Sequence, residues 1–425
     1  MSVPPLPEAR AARRSVSLPA AARRITAVLF AAQCLGSAAF IAIATVGPIL
    51  AVRLSAHESW AGIPSACTLL AGAGAAFLWG YLMDSLGRRG SLALGLGLGG
   101  LGAALSFFAV SRGSFILFAA GMVLIGVANA AANLSRFAAA EVHPPAMRGR
   151  AISYVVLGGT VGAIAGPLLI GPSGRAAVSS GYGELSGALA VSVLFLSAAA
   201  ALVMAALRPD PKILGQQIAA EDPKAALPAE HQSGLAGMPR SPAAFAAVIT
   251  MVFSQASMVA MMVITSFHMS RMNHGLGDIS LVFSAHTIGM YAFSVLSGRL
   301  LDWWGRGPVI LTGACAMVAA CVSAPFVMGT FPLAVSLLLL GLGWNFCFVG
   351  GSAMLSDQLT PAVRARVQGF NDLLVGLAAA IGSLGSGVVS ALAGYSSVGL
   401  SSAALALVPL FLVARLMRTQ RRAAG

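Results

Sequence analysis

Four side chains in the second half of the sequence have the types and the spacing to hold a soft metal ion. Met258 stands four residues before Met262, and His286 stands four before Met290. On a helix that spacing puts both members of a pair on one face. Thioethers and a neutral imidazole are soft or borderline donors, suited to Cu(I) and poorly suited to Mg²⁺ or Ca²⁺. A site without thiolate or carboxylate can strip water from the ion without trapping it. Reflecting the two helices about residue 274 sets Met262 level with His286 and Met258 level with Met290, roughly 9 to 18 Å below the non-cytoplasmic end of the spans at helical rise. His268, Met269, Met272 and His274 at the hairpin tip add donors that would collect an ion at the outer mouth. A plainer reading exists: 17 methionines make chance pairs at this spacing common, and His286 would serve equally as a hydrogen-bonded core residue or a proton carrier.

The elements that must position these residues are membrane spans. The 425-residue chain is 58% hydrophobic and 9% charged, with mean hydropathy +0.86, which leaves too little polar surface to cover a soluble globule. Crossing about 30 Å of hydrocarbon takes roughly 20 residues. Apolar runs of that order fall near 25–51, 60–82, 91–110, 114–138, 151–171 and 184–207, then near 242–267, 279–298, 308–327, 331–353, 371–393 and 398–417. The expected fold is an all-α membrane protein with twelve transmembrane helices in two pseudo-symmetric six-helix bundles. Its divisions are a basic arm over 1–24, a first bundle over 25–207, a linker over 208–241, a second bundle over 242–417 and a basic tail over 418–425. The first apolar run is as long as a full span and carries no small-residue cleavage pattern, so it is expected to remain as the first helix.

A net charge of +13 would suit nucleic acid, but the placement of the charges argues for topology instead. With loops counted alternately, 22 of the 26 Lys and Arg fall on one side, and only Arg53, Arg112, Arg175 and Arg271 on the other. The positive-inside rule then puts both termini in the cytoplasm and requires an even number of spans, as expected of a multi-pass inner-membrane protein. The stretch 208–241, with its charges, Pro and Gln, reads as a flexible cytoplasmic linker. Cys34, Cys67, Cys315, Cys321 and Cys347 all lie in spans with no CxxC among them, which favours small core residues over a disulfide set or thiolate cage. The 49 glycines fit close helix packing in lipid and say little about a ligand.

Two short segments occur twice. Gly80-Tyr-Leu-Met-Asp84-Ser-Leu-Gly87-Arg88-Arg89 reappears as Gly298-Arg-Leu-Leu-Asp302-Trp-Trp-Gly305-Arg306, an offset of 218 from Asp84 to Asp302. Glu141-Val-His-Pro-Pro145-Ala-Met-Arg148-Gly-Arg150 reads against Asp357-Gln-Leu-Thr-Pro361-Ala-Val-Arg364-Ala-Arg366, an offset of 216 from Glu141 to Asp357. Two independent pairs at almost one offset point to an internal duplication. In the first loop, Gly87 and Gly305 would allow a tight turn, and Asp84 and Asp302 would meet a helix N-terminus or a nearby Arg. Breaking such contacts can accompany rocking of one half, which makes Asp84, Arg88, Asp302 and Arg306 gating candidates. The alternative is that these charges only keep the loops in water.

These residues carry a resemblance to the major facilitator superfamily over essentially the whole chain. Gly-x-x-x-Asp-x-x-Gly-Arg between the second and third helix, with a copy between the eighth and ninth, is that family's signature. The resemblance implies a transporter working by alternating access and no enzymatic activity; a monomer without a cofactor is expected. Met258-x-x-x-Met262 and His286-x-x-x-Met290 further resemble the paired motifs of the CcoA-like branch, which includes bacterial copper importers and riboflavin importers of the RfnT type. Carried over residue by residue, these four would bind copper as the transported substrate.

An organic cargo is the rival. Gln33, Asn129, Gln255, Trp344, Asn345 and Phe346 fall on helices that line the central cavity in this fold, and Asn129 and Asn345 match across the repeat. An aromatic beside amides can stack on and hydrogen-bond a flat ring such as an isoalloxazine; the same residues would also serve to join helices. Drug efflux coupled to protons is a third reading. Gly162-Ala-Ile-Ala-Gly166-Pro167-Leu-Leu-Ile170-Gly171 resembles the antiporter motif, with Ile170 where a second Gly is usual. Against it, none of the thirteen acidic residues falls at a clear mid-membrane position. No HExxH, GxSxG or P-loop points to an enzyme.

Overall fold

The computed structural model describes residues 7–221, 241–327, 329–358 and 361–424. The centre of the linker, 222–240, lies outside the described residues, as do 1–6 of the N-terminal arm and Gly425. Lipid offers no partner to a free N–H or C=O, so a chain this apolar must close its hydrogen bonds within helices. Among the described residues there is no strand. The first half comprises α1 (Pro7–Ser55), a 3-10 turn (Glu58–Gly62), α2 (Ile63–Ser85), α3 (Gly87–Ser111), α4 (Phe115–Asn133), α5 (Ser135–Glu141), α6 (Pro145–Leu168), α7 (Ile170–Ser179) and α8 (Ser186–Ala206). After α9 (Pro211–Glu221), the second half comprises α10 (Pro242–Arg271), α11 (Leu276–Tyr291), α12 (Ser294–Trp304), α13 (Arg306–Ser323), α14 (Thr330–Ser356) and α15 (Pro361–Ala424). Side-chain caps fix two of the starts: Ser114 accepts from Leu117 N at 3.4 Å before α4, and Ser241 accepts from Ala244 N at 3.1 Å before α10.

Among the described residues, nine helices are long and apolar enough to cross a membrane, and two bent pairs raise the number to eleven. The last of the nine, Phe370–Thr419, has 50 residues, about 75 Å at helical rise and more than twice the hydrocarbon thickness. It breaks at Gly394, where φ is 79° and ψ −179°. Counted as two spans meeting at that point, it would bring the eleven to the twelve expected from hydropathy. The bent pairs occupy equivalent places in the two halves: the second span bends by 47° between Ala76 and Leu78, and the eighth by 43° between Tyr291 and Leu296.

In the first half α1 packs on α6 and α8, and α3 on α4 and α8; in the second α10 packs on α15 and α14, and α13 on α14 and α15. The Gly162 and Gly166 pair lies where α6 meets α1, and a Cβ on either would strike the backbone carbonyl of Cys34 or Ala38. That helix contact accounts for the small residues of the antiporter-like run.

The two halves touch mainly through the 3-10 turn and α2 against α15, and through α6 and α7 against α11. Three hydrogen bonds join them among the described residues: Arg271 Nη1 to Glu58 at 2.9 Å, Ser383 Oγ to Gly62 O at 2.7 Å, and Ser284 Oγ to Ile164 O at 3.4 Å. All three lie in the half of the molecule remote from the linker, so the structure is closed at that end.

The start of the linker differs from the flexible segment expected. Asp210 accepts from the backbone N of Arg88 at 3.2 Å, Arg89 at 2.9 Å and Lys212 at 2.9 Å. It thereby caps the α3 N-terminus, while Leu214 of α9 is buried. Charge content alone did not reveal those tethers.

Candidate functional site

A cavity of about 280 Å³ opens between the halves, walled by α1, α2 and α4 on one side and by α10 and α11 on the other. Met258, Met262, His286 and Met290 all line it. The helices that carry them touch each other only sparsely, because α10 rests on α15 and α11 on α14. Their donor faces are therefore turned to the cavity instead of being spent on mutual packing. Met258 and Met262 are 6% and 8% exposed, and Met290 is half-buried. Met122 lines the same space, opposite the sequence motif.

His286 is held by its neighbours in one orientation. Gly289 of α11 and Gly341 of α14 lie where the two helices meet, and a Cβ on either would run into the partner helix at Leu338 O or His286 O. The close approach they allow brings His286 Nδ1 to 2.9 Å from Leu337 O. A carbonyl can only accept, so Nδ1 carries the proton and, in the neutral ring, Nε2 carries the lone pair. Nε2 is buried with no hydrogen-bond partner. A buried nitrogen left without a partner is costly, and a ligand in the cavity would relieve that cost. The backbone carbonyl at Nδ1 is the kind of partner that fixes the tautomer of a metal-binding histidine. Among the described residues no group of three or more His, Cys, Asp or Glu can hold a metal, so any ion here would depend on thioethers.

A second space of about 350 Å³ continues the cavity on the first-half side, sharing Phe40, Ile41, Asn129 and Tyr291 with it. Its wall holds Gln33, Asn129, Asn133, Ser135, Arg136 and Thr160. Of the residues expected for an organic solute, Gln33 and Asn129 are here. Of the other four, Phe346 is buried in an apolar cluster with Leu301 and Val309, and the remaining three are engaged elsewhere. Trp344 Nε1 donates to Gln255 Oε1 at 2.8 Å, and the indole stacks on Phe348 at 4.8 Å. Asn345 is 2% exposed and spans the break between α11 and α12: its Nδ2 donates to Met290 O at 2.6 Å and to Ser294 Oγ at 3.2 Å, while Ser297 Oγ donates to its Oδ1. A bent span frees carbonyls that lipid cannot satisfy, and Asn345 supplies the missing donor. It thereby steadies the backbone of Met290.

The hairpin-tip residues are spread out. Met269 is buried, Met272 is exposed, the His268 ring stacks on Tyr395 with centroids 4.2 Å apart, and His274 Nδ1 lies 3.7 Å from Asp278.

The repeated loops become partners in space. Arg88 grips Glu141 through Nε at 2.9 and 3.0 Å and Nη2 at 2.6 Å, and reaches Asp84 at 3.3 Å. In the second half Arg306 Nε meets Asp357 at 2.9 Å. The two sequence echoes are thus the two ends of one ion pair, made twice. Gly87 and Gly305 have φ of 77° and 84°, which a side chain would strain, and so permit the turns expected of them. Asp84 also gains Lys212 Nζ on its backbone oxygen at 2.5 Å; Asp302 is exposed and makes no ion pair among the described residues.

Sequence reasoning passed over Arg136, Asn133, Phe40, Tyr291 and Asp210. Arg136 had a signal, since it falls inside the apolar run 114–138 and an ionisable residue in a span marks a site by default. Asp210 had none, because its contact depends on tertiary placement.

A family model described as the Major Facilitator Superfamily matches residues 28–276 and 243–425. The MFS-type transporter YdeG of Bacillus subtilis is 33% identical, over 91% of this chain and 90% of its own. The riboflavin transporter RfnT of Brucella anthropi is 29% identical, over 92% and 96%. Among solved structures, the nucleoside transporter NupG shares the fold with a TM-score of 0.67 at 16% identity, over 93% of this chain and 99% of that one. The D-xylose–proton symporter does so at 0.68 and 18%, over 91% and 96%.

Proposed function

The chain belongs to the Major Facilitator Superfamily, and from that premise we propose that this multi-pass transporter carries Cu(I) into the cell across the inner membrane by alternating access. The observation that supports a copper cargo is the convergence of Met258, Met262, His286 and Met290 on one cavity between the halves, with His286 Nε2 buried and unpartnered. Three neutral thioethers and one imidazole match the softness of Cu(I), and none of them must lose a proton to bind it. Release is correspondingly easy.

The hydrogen bonds between Glu58 and Arg271 and between Gly62 and Ser383 hold the end remote from the linker shut. With both termini in the cytoplasm that end faces outward, so this state is the one that has closed behind its cargo. Entry of the next ion requires those contacts to part while the linker end closes. Asp84, Arg88, Asp302 and Arg306 sit at the linker end and act on that equilibrium rather than on the ion.

A second reading has its own support. Gln33, Asn129 and Asn133 beside Phe40 and Tyr291 give the cavity a polar, aromatic wall suited to a flat organic ring, and a relative of similar length is named a riboflavin transporter. Uptake of radioactive copper, run beside riboflavin uptake in cells lacking their own importers of each, separates the two. Copper accumulation that depends on this protein supports the first reading. Flavin accumulation without copper replaces it with the second.

A further inference from the structure

Among the described residues, Arg136 has no counter-ion in contact with it. It sits on α5 in the wall of the 350 Å³ chamber, among Gln33, Asn133, Ser135 and Thr160. Its Nε is buried with no hydrogen-bond partner, and among the described residues it enters no salt bridge. Asp372, across the gap on α15, is near enough to act on it electrostatically but makes no ion pair with it. Arg136 is partly buried and its guanidinium lies 5.0 Å over the Phe137 ring, but a buried, unpartnered Nε is unfavourable, and the group faces a space that a ligand can enter. Planar guanidinium groups recognise carboxylates by paired, charge-assisted hydrogen bonds.

The chamber runs into the donor cavity through Phe40, Ile41, Asn129 and Tyr291. A bare metal ion fills only a small part of two connected spaces of about 280 and 350 Å³, which together lie in the range that organic ligands occupy. Charge makes the same point. The donor set is neutral, so a bare Cu(I) would bring an uncompensated positive charge to a cavity that already contains Arg136, and the two would repel. A complex whose ligand carries carboxylates reverses the sign of that interaction.

We propose that the Arg136 chamber is a carboxylate-binding subsite and that the cargo enters as Cu(I) complexed to a small thiol bearing carboxylates, an inference that rests on the copper reading above. Copper stays Cu(I) throughout and the thiolate stays on it. Beside the retained thiolate, His286 Nε2 and one or two of the thioethers complete its coordination, the rest staying free, while a ligand carboxylate accepts hydrogen bonds from Arg136. No covalent bond within the ligand forms or breaks. Asp372 competes for the same guanidinium, so its removal would favour the incoming carboxylate.

The test uses the full chain in proteoliposomes, with radioactive Cu(I) supplied anaerobically as its complex with glutathione or with glutathione diethyl ester. The thiolate is common to both and only the carboxylates are masked. The expected ratio of initial rates, acid over ester, is roughly tenfold or more in the wild type, on the scale of a charge-assisted hydrogen bond. It falls close to one in Arg136→Gln, falls part-way in Arg136→Lys and rises in Asp372→Asn. A wild-type ratio near one, or a full wild-type ratio in both Arg136 variants, overturns the subsite and leaves the copper reading standing. If the wild type takes up neither complex, the copper reading falls and the subsite falls with it.

Discussion

The two halves of the chain repeat each other in backbone and in loop chemistry, but they present different surfaces to the cavity they share. Arg88 with Glu141 and Arg306 with Asp357 are the same contact made twice, and the second and eighth spans bend by 47° and 43°. The amides Asn129 and Asn345, 216 positions apart, show the divergence. Asn129 lines the cavity, whereas Asn345 is turned into the α11–α12 break to satisfy Met290 O. The first half gives the cavity Gln33, Asn133 and Arg136, and the second gives it three thioethers and an imidazole. A symmetric scaffold does not require a symmetric cavity; the loop ion pairs are shared and the cavity walls differ.

The division is broken most severely on the soft side. His286→Leu and Met262→Leu should each abolish copper accumulation in membranes that still contain the protein. Leucine keeps the bulk and apolarity of methionine but donates no lone pair, and such a volume-conserving swap in a core costs less than about 1.5 kcal/mol; at His286 it also leaves Leu337 O without its donor, so the amount of protein in the membrane must be measured beside uptake. Met122 lines the same cavity and is no neutral control; Met317, fully buried against Gly343 in the α13–α14 packing, is the better one, and Met317→Leu should accumulate copper normally.

The matched amides sharpen the contrast next. Asn345→Ala leaves Met290 O without its donor, and a buried group so orphaned costs about 1–3 kcal/mol. It should lower the thermal midpoint of the purified protein clearly, while Asn129→Ala should hardly move it. Equal shifts would mean that the two amides play equivalent roles after all.

The loops come third. Arg88→Ala should slow turnover by roughly tenfold, the kinetic equivalent of about 1.4 kcal/mol, with the KM nearly unchanged, because Arg88 lies far from the cavity and holds Glu141 through a partly buried bidentate pair. Arg306→Ala should slow it less, since its pair with Asp357 is more exposed and single. Asp84→Asn should also slow turnover without weakening binding. Loss of affinity at constant turnover would contradict gating.

The smallest effect concerns His143, in the loop before α6, where burial lowers its pKa from 6.5 and Thr26 Oγ1 lies 2.9 Å from Nε2. The unfolded chain takes up this proton more readily than the folded one, so the contribution of His143 to stability is present above pH 6.5 and is lost as the pH falls below it. His143→Gln should flatten that part of a melting-temperature profile, and an unchanged slope would remove the effect.

Much of the scaffold was legible in the sequence because hydropathy reports on the solvent, and length alone separates spans from loops. The break at Gly394 and the start of α10 at Pro242 fall where composition put them. That Met258, Met262, His286 and Met290 share one space was legible through their spacing, which fixes a helix face whatever that face meets. Trp344 and Gln255 were not, because two residues on cavity-lining helices can bond to each other and leave nothing for a ligand. Arg136 carried the signal of an ionisable residue inside an apolar run, but five residues before Glu141 it also reads as an end-of-span anchor, and only the fold puts it in a chamber wall.

X-ray absorption at the copper edge of the purified, Cu(I)-loaded protein tests the central claim most directly. The wild type should show sulfur and one nitrogen in the first shell. His286→Leu should lose the nitrogen and keep the sulfur, and the Met258→Leu, Met262→Leu double variant should lose part of the sulfur contribution, keeping that of Met290, and keep the nitrogen. A wild-type shell of oxygen and nitrogen alone, or spectra that these substitutions leave unchanged, would contradict the assignment of Met258, Met262, His286 and Met290 as the copper site.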